Sequence, residues 1–324
     1  MRVTTLDAHV GGAAVRLVTS GLPTLEGTTM AERAASFEEQ ADDIRQLLCL
    51  EPRGHAGVVG VVLTEPERAE AEAGMLFFDG AGMRPLSRTG VLAATALALD
   101  AHLISPREPG RLEVDTAAGP IWSRVSARRP DGTVAAVSVE GPNAVVVRGN
   151  ARVVAGRAIP YDLAWSGSGL LAIVDAEAAG VALTPTRSLE LRRAGLDLLA
   201  HISEQRPPGS PGELDGCVFV GASTKTGADL RAVLVRADGR VARAPSGEAA
   251  AAVCAVLSAM GVLAEGEARI ESLSGAMWTV YVEDAPPENG AHAVRVRIES
   301  PVHRTGSHEF VREADDPLIG DAWI

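Results

Sequence analysis

The stretch "RPLSRTGVLAATALALDAHL" (84–103) places Ser87 directly before a long run of small apolar residues, with Arg88, Thr89 and Gly90 in between. The same construction returns at "RAPSGEAAAAVCAVLSAMGVL" (243–263), where Ser246 is followed by Gly247, Glu248 and Ala249. Serine is among the best helix N-caps, because its oxygen accepts a backbone N–H two or three residues on. Each stretch therefore predicts a helix that starts just after its serine, one ending near Leu103 and the other near Leu263.

Working outward, the two halves keep matching. A strand-like run precedes each serine, "GMLFFDGAG" (74–82) and "LRAVLVRADGRVA" (230–242). After each helix comes a hairpin pattern, "RLEVDTAAGPIWSRVS" (111–126) and "RIESLSGAMWTVYVE" (269–283). Both hairpins open on Arg, apolar, Glu, and both are expected to turn at a glycine (Gly119, Gly275) three residues before a tryptophan (Trp122, Trp278). Upstream, "AHVGGAAVRLVTSG" (8–21) matches "AWSGSGLLAIVDAEAAG" (164–180), and amphipathic helices are expected around 31–48 and 187–203. The next strands are "AGVVGVVLTEP" (56–66) and "GCVFVGAST" (216–224). A duplication with a period of about 160 residues accounts for the series.

The expected fold class is thus α/β of the strand-rich, α+β kind. Two pseudo-twofold-related domains each wrap a barrel-like sheet around a central helix. We expect an N-terminal domain over 1–155, joined by the C-terminal tail 309–324, and a second domain over 156–308. "RVVAGRAIPYD" (152–162) is the expected crossover. A pseudo-twofold would set the two helix starts opposite each other across a cleft, and domain interfaces favour small-ligand sites.

Composition narrows the classes. The chain of 324 residues is 46% apolar and 22% charged, ordinary for a globular protein, and long enough for a large core or two. Its net charge is −12 and no Lys/Arg run exceeds two residues, which disfavours nucleic-acid and anionic-membrane partners. The start "MRVTTLDAHV" has no apolar h-region and no 18-residue apolar span follows, so a cytoplasmic location is expected. Cys49, Cys217 and Cys254 sit apart in apolar runs and read as buried thiols. Lys225 is the only lysine and has no phosphate cradle around it, which argues against pyridoxal phosphate chemistry.

Free N–H groups at a helix start form an anion site suited to a carboxylate. Two such starts, each with a hydroxyl, suit work on opposite faces of one small carboxylate-bearing molecule. One group takes the Cα proton and the other returns it. The competing reading is that both serines only cap their helices.

The chain resembles the proline racemase family, which includes 4-hydroxyproline epimerases and trans-3-hydroxyproline dehydratases on a diaminopimelate-epimerase-like two-domain fold. "DAHVGGAAVRLV" (7–18) looks like the family's opening Asp-x-His-x-Gly-Gly motif. "EPRGHAGVVG" (51–60) carries its Glu-Pro-Arg-Gly-His motif, and "DDPLIGDAW" (315–323) is similar to its closing Asp-Pro motif. The two catalytic motifs of the family fall on "LSRTG" (86–90) and "ARAPSGEA" (242–249), with Ser87 and Ser246 at the cysteine positions. The resemblance implies catalysis by residues 87 and 246 without cofactor or metal. The implied ligand is a small imino or amino acid bound by Arg88, Thr89, Gly90, Ala242, Gly247 and Glu248, and a homodimer is implied too.

This chain departs from the family's pattern inside those motifs. Thr89 stands at the family's histidine, Ala242 at its aspartate, and Gly247, Glu248 and Ala249 at its Gly-Thr-Gly cradle. A thiol at a helix start offers thiolate near neutral pH, whereas a serine hydroxyl needs a strong base beside it. Three functions follow: an isomerase, a lyase that dehydrates a 3-hydroxy imino acid with one good base, or a degenerate binding protein. Arg88 and Glu248 are expected either to pair across the cleft, to hold a different acid through Arg88, or to be solvated. His9 and His55 are further site candidates, each with a structural alternative. In "EPRGH", Arg53 and Glu51 are expected to pair with each other. His303 and His308, five residues apart, lack the ligand spacing for a metal.

Overall fold

The computed structural model describes residues 1–155, 157–205, 213–263 and 266–316 of the chain. It is a strand-rich α+β structure that separates into two units. One comprises Met1–Glu140 with the segment beginning at Glu299, and the other Gly141–Ile298.

The first unit opens with β1 (Arg2–Val10) and β2 (Ala13–Ser20), an antiparallel pair in which Val10 faces Ala13. Gly11 and Gly12 make the turn, both at positive φ (58° and 94°), as a tight two-residue hairpin requires. In β1 the alternation of buried and exposed residues shifts by one, at the bulge between Asp7 and Ala8. Helix α1 (Met30–Cys49) follows, capped by Thr29 in a capping box with Glu32. Then come β3 (Val59–Thr64), β4 (Ala73–Asp79), the short β5 (Gly82–Arg84), α2 (Arg88–Asp100), β6 (Arg111–Thr116), β7 (Gly119–Arg128) and β8 (Val134–Glu140). β2 and β3 pair in parallel, β3 and β4 antiparallel, β4 and β6 in parallel, and β6 through β8 antiparallel.

In the second unit the order recurs. It contains β9 (Ala144–Ala155), β10 (Arg157–Trp165), β11 (Leu170–Asp175), the one-turn α3 (Ala176–Ala179), α4 (Ser188–Gln205), β12 (Leu214–Gly221), β13 (Leu230–Arg236), α5 (Gly247–Ala259), β14 (Gly266–Glu271), β15 (Met277–Glu288) and β16 (Ala291–Pro301). β11 and β12 pair in parallel, as do β13 and β14, with antiparallel pairs between. β16 returns to β9, where Ala293 and Val294 face Val145 and Ala144, and so closes this sheet. The chain then re-enters the first unit as β17 (His303–Val311), antiparallel to β1 from Arg2↔Val311 to His9↔His303. Val302 donates to the Ala135 carbonyl of β8, so the first sheet closes too.

Three expectations need correction. The unit boundaries fall at 140/141 and 298/299, not at 155/156 and 308/309. Residues 152–162 are no crossover: β9 and β10 form one long antiparallel hairpin, with Ala155 facing Arg157. Alternating apolar residues such as Val145, Val153 and Ile159 drive that pairing. The turn of the β6–β7 hairpin lies before Gly119, at residues 117–118, and Gly119 already pairs with Thr116, whereas the later hairpin turns at 272–276 and includes Gly275 as expected. The motif at 315–323 lies outside the described residues from 317 onward.

Each unit has two layers. Helix α2 contacts β1, β2, β3, β7 and β8, and every residue from Arg88 to Ala98 is buried. Helix α5 contacts β9 through β13 in the same way. A helix enclosed all round must be apolar all round, and close strands leave room mainly for alanine. That explains "VLAATALAL" and "AAAAVCAV". On the other face, the amphipathic α1 packs Phe37, Ala41, Ile44 and Leu48 against Val18, Val62, Leu76 and Phe78, and α4 does likewise on β12 and β13. Among the described residues no helix is long and apolar enough to cross a membrane.

Phe78 of β4 is fully buried and stacks on Phe37 of α1 with ring centroids 5.0 Å apart. It is the chief contact between sheet and outer helix in the first unit. Phe78→Ala is expected to destabilise the protein by about 3–5 kcal/mol, and Phe78→Leu by clearly less, read by denaturant unfolding.

Candidate active site

The first helix start is built from the loop that leaves β5. Ser87 is extended (φ −133°, ψ 105°) and its Oγ accepts the Gly90 N–H at 3.1 Å, an N-cap in geometry as well as in sequence. Ser87, Thr89 and Gly90 are buried, and Arg88 is 0% exposed. The solvated reading of Arg88 is therefore overturned. Gly90 has a packing reason of its own: a Cβ there would come 2.8 Å from the Phe77 ring and 3.2 Å from Val61.

The second helix start repeats the cap with an added carboxylate. Ser246 (φ −112°, ψ 126°) accepts the Ala249 N–H at 3.3 Å and donates its own hydroxyl to Glu248 Oε2 at 3.0 Å. Arg236 Nη2 on β13 lies 3.8 Å from the same oxygen. The Glu248 side chain is 12% exposed, so it too is not solvated. Gly247 is buried and Ala242 half-buried, its N–H donated to the Leu234 carbonyl within the sheet.

Ser246 also borders a cavity of about 10 Å³, room for one water, whose wall includes Leu234, Pro245, Ile270, Glu271 and Trp278. Trp278 is buried and its indole N–H has no acceptor among the described residues. Glu271 accepts from Arg231, from Ser223 at 2.6 Å and from the Thr224 N–H at 3.1 Å. Burial alone would raise the Glu271 carboxyl, but these donors, Arg231 foremost, bring it down to about 2. Sequence reasoning noted Trp278 only as a hairpin marker, and missed Glu271, Arg231 and Arg236. Glu271 lies 40 residues from its partner Arg231, and such a separation leaves no local pattern.

The histidines fall elsewhere in the first unit. His9 stacks on His303 of β17 at 4.9 Å between centroids, and its buried Nδ1 has no hydrogen-bond partner. Burial, and then the neighbouring His303, pushes its pKa down. Asp7, the first residue of the opening motif, receives Thr5 at 2.6 Å and lies 3.0 Å from His308 Nδ1. His55 is exposed, with Nδ1 3.0 Å from the Ala56 carbonyl, and lines neither helix start. Arg53 does not pair with Glu51, which is exposed. It pairs with Asp316 and donates to the Val311 carbonyl at 2.8 Å, so "EPRGH" ties the loop after α1 to the end of β17.

No cysteine lies at either helix start. Cys49, Cys217 and Cys254 are all buried, and burial pushes the Cys217 and Cys254 thiols up, the latter to about 12. The two helix starts carry hydroxyls, a carboxylate, a guanidinium and helix N–H groups.

A family model described as proline racemase matches residues 5–320. The chain is 28% identical to a proline racemase from Clostridioides difficile over 97% of this chain and 95% of that one. It is 30% identical to a 4-hydroxyproline 2-epimerase from Paracoccus denitrificans, over 97% of this chain and 96% of the other. The structure is similar to a hydroxyproline epimerase from Agrobacterium vitis crystallised with trans-4-hydroxy-L-proline. That match has TM-score 0.85 and 25% identity, and covers 98% of this chain and 94% of the other.

The Arg231–Glu271 pair generates a pH prediction. The folded carboxyl titrates at about 2 and an unfolded one near 4.5. Its stabilisation is therefore complete above pH 4.5 and is lost as pH falls toward 2. Glu271→Gln is expected to cost about 3 kcal/mol at pH 7, since it leaves Arg231 buried without its counter-charge. The variant is expected to lose less than the native chain when denaturant unfolding is repeated at pH 3.

Proposed function

Since this chain belongs to the proline racemase family, we propose that it is a cofactor-independent isomerase acting at Cα of a small cyclic imino acid, proline or hydroxyproline. One observation carries the reading. Each unit presents a serine whose oxygen receives the N–H three residues on, at the start of an enclosed helix, and the motif resemblance puts the family's two bases at these serines.

The chemistry follows from that geometry. Removing a Cα proton from a carboxylate-bearing acid puts a second negative charge on its carboxylate oxygens. Helix N–H groups at Thr89 and at Gly247–Glu248 favour that charge. Ser87 and Ser246 are, in this reading, the groups that carry proton transfer at Cα. Ala242 brings no acid to the substrate's ring nitrogen, so the ring must be held by shape and by its carboxylate. The two units are, in this reading, repeats of one ancestral unit.

A second reading, a lyase that dehydrates a 3-hydroxy imino acid, is favoured by an asymmetry. Ser246 is hydrogen-bonded to a carboxylate, whereas the Ser87 oxygen receives only a backbone N–H among the described residues. Elimination needs one good base, not two.

The experiment is Cα hydrogen exchange in D2O, followed by proton NMR, with L-proline, trans-4-hydroxy-L-proline and trans-3-hydroxy-L-proline. The expected result is loss of the Cα–H signal of at least one of them, slowed about 100-fold or more in Ser246→Ala. An epimer as product supports the isomerase, and an unsaturated imino acid the lyase. Absence of exchange with all three would overturn both.

A further inference from the structure

A serine hydroxyl at a helix start is a poor base unless a stronger one takes its proton. In the second unit such a group is present. Glu248 is the second residue of α5, and its Oε2 accepts the Ser246 hydroxyl at 3.0 Å. The comparison with α1 shows that helix capping does not require this arrangement. There the acidic residue, Glu32, stands one place further on and turns back to the backbone, accepting the Thr28 and Thr29 N–H groups at 2.8 and 3.0 Å. Glu248 instead takes a side-chain proton, and the helix is capped by the Ser246 oxygen without its help.

The surroundings favour proton transfer along this bond. The Ser246 oxygen accepts the Ala249 N–H, which stabilises negative charge building on it. Arg236 Nη2 lies 3.8 Å from Glu248 Oε2, which places a cation beside the carboxylate. Both side chains are largely out of water, and in such a setting a charge-assisted hydrogen bond is strong. At the matching place in α2 stands Thr89, which has no carboxylate.

We propose that Glu248 is the base that activates Ser246, so that the two residues do together what a lone thiol does elsewhere. This deepens the isomerase or lyase reading and rests on it only for the identity of the substrate. As the Ser246 oxygen accepts the Cα proton, it releases its own hydroxyl proton to Glu248. The Cα–H electron pair passes into the substrate carboxylate as an enediolate, Glu248 becomes a neutral carboxylic acid, and Ser246 ends as a hydroxyl. No free alkoxide forms. The reverse transfer restores the carboxylate. Glu248 acts through Ser246 and is in that sense a positioning and proton-holding residue.

Two readouts test it. The first needs no substrate. Phenylmethanesulfonyl fluoride is incubated with the protein, and the Ser246 peptide is followed by mass spectrometry. The serine oxygen displaces fluoride at sulfur while Glu248 takes its proton. The native chain is expected to be labelled at Ser246, with labelling about 100-fold slower in Glu248→Gln and largely kept in Glu248→Asp. Circular dichroism and melting curves check that both variants fold. Equal labelling of the native chain and Glu248→Gln, or no labelling of the native chain, would overturn the inference.

The second readout is the Cα exchange described above. Glu248→Gln is expected to lower kcat for exchange about 100-fold with little change in KM, and Glu248→Asp to restore part of it. Exchange that persists in Glu248→Gln overturns the role of Glu248 and leaves the family function standing. Labelling that depends on Glu248, in a protein that exchanges none of the three imino acids, supports the activated serine and removes the imino-acid reading instead.

Discussion

The structure depends on one constraint: in each unit a helix is enclosed by strands on every side. Enclosure strips the helix of any polar face, which accounts for the alanine-rich sequences of α2 and α5. It also deprives the first-turn N–H groups of water, and a buried donor without an acceptor costs roughly 1–3 kcal/mol. Ser87 and Ser246 meet that need in the same way, each oxygen taking the N–H three residues on. The serines are thus required by the fold before any chemistry is asked of them. The same bonds hold a hydroxyl at a helix start, where negative charge is favoured, so structural demand and chemical opportunity coincide at one atom.

The two helix starts share that backbone solution and differ in everything beside it. The first surrounds its serine with a fully buried arginine, a threonine and a glycine pressed against Phe77. The second surrounds its serine with a carboxylate, an arginine on β13 and a small cavity bordered by Trp278. An elimination uses such an asymmetry directly. A racemisation needs the first unit to accept a proton as well, and there the hydroxyl has only a backbone N–H beside it.

Much of the fold was legible in the sequence because the enclosing architecture leaves a repeated, local signature. The serine cap, the small-residue run and the following hairpin recur in both halves, and helices and strands lie where those signals put them. What was misread was non-local. The β9–β10 hairpin looked like a connector because β16, the strand that pairs with the start of β9, lies far away in the chain. The boundary at 298/299 depends on β17 pairing with β1 across the whole chain length, which no window of sequence reveals. In the site, Ser87 and Ser246 were legible as caps, and residues 88 and 248 as their neighbours. Their burial and the partner of Glu248 were not legible, because Arg236 reaches Glu248 from another strand. His55 and Arg53 were placed correctly in a motif but given the wrong reason. Arg53 ties that loop to Asp316 and Val311.

Replacing a thiol by a hydroxyl at such a position is a change of several pKa units, since a thiol ionises near 8.5 and a serine hydroxyl does not ionise in the same range. Helix N–H groups and a dipole offset only a part of that gap, of the order of 1–2 kcal/mol. The remaining deficit has to be met by a base close enough to take the proton as it leaves. Beside Ser246 the proposed reading finds such a base in Glu248, two residues from the serine, on the same turn of the same helix. A carboxylate introduced there needs no remodelling of the sheet, because the first turn of α5 already orients the side chain back toward its cap. In the proposed reading, the pattern that looks like loss when residue 246 is read alone becomes, with residue 248, an exchange of one base for a pair.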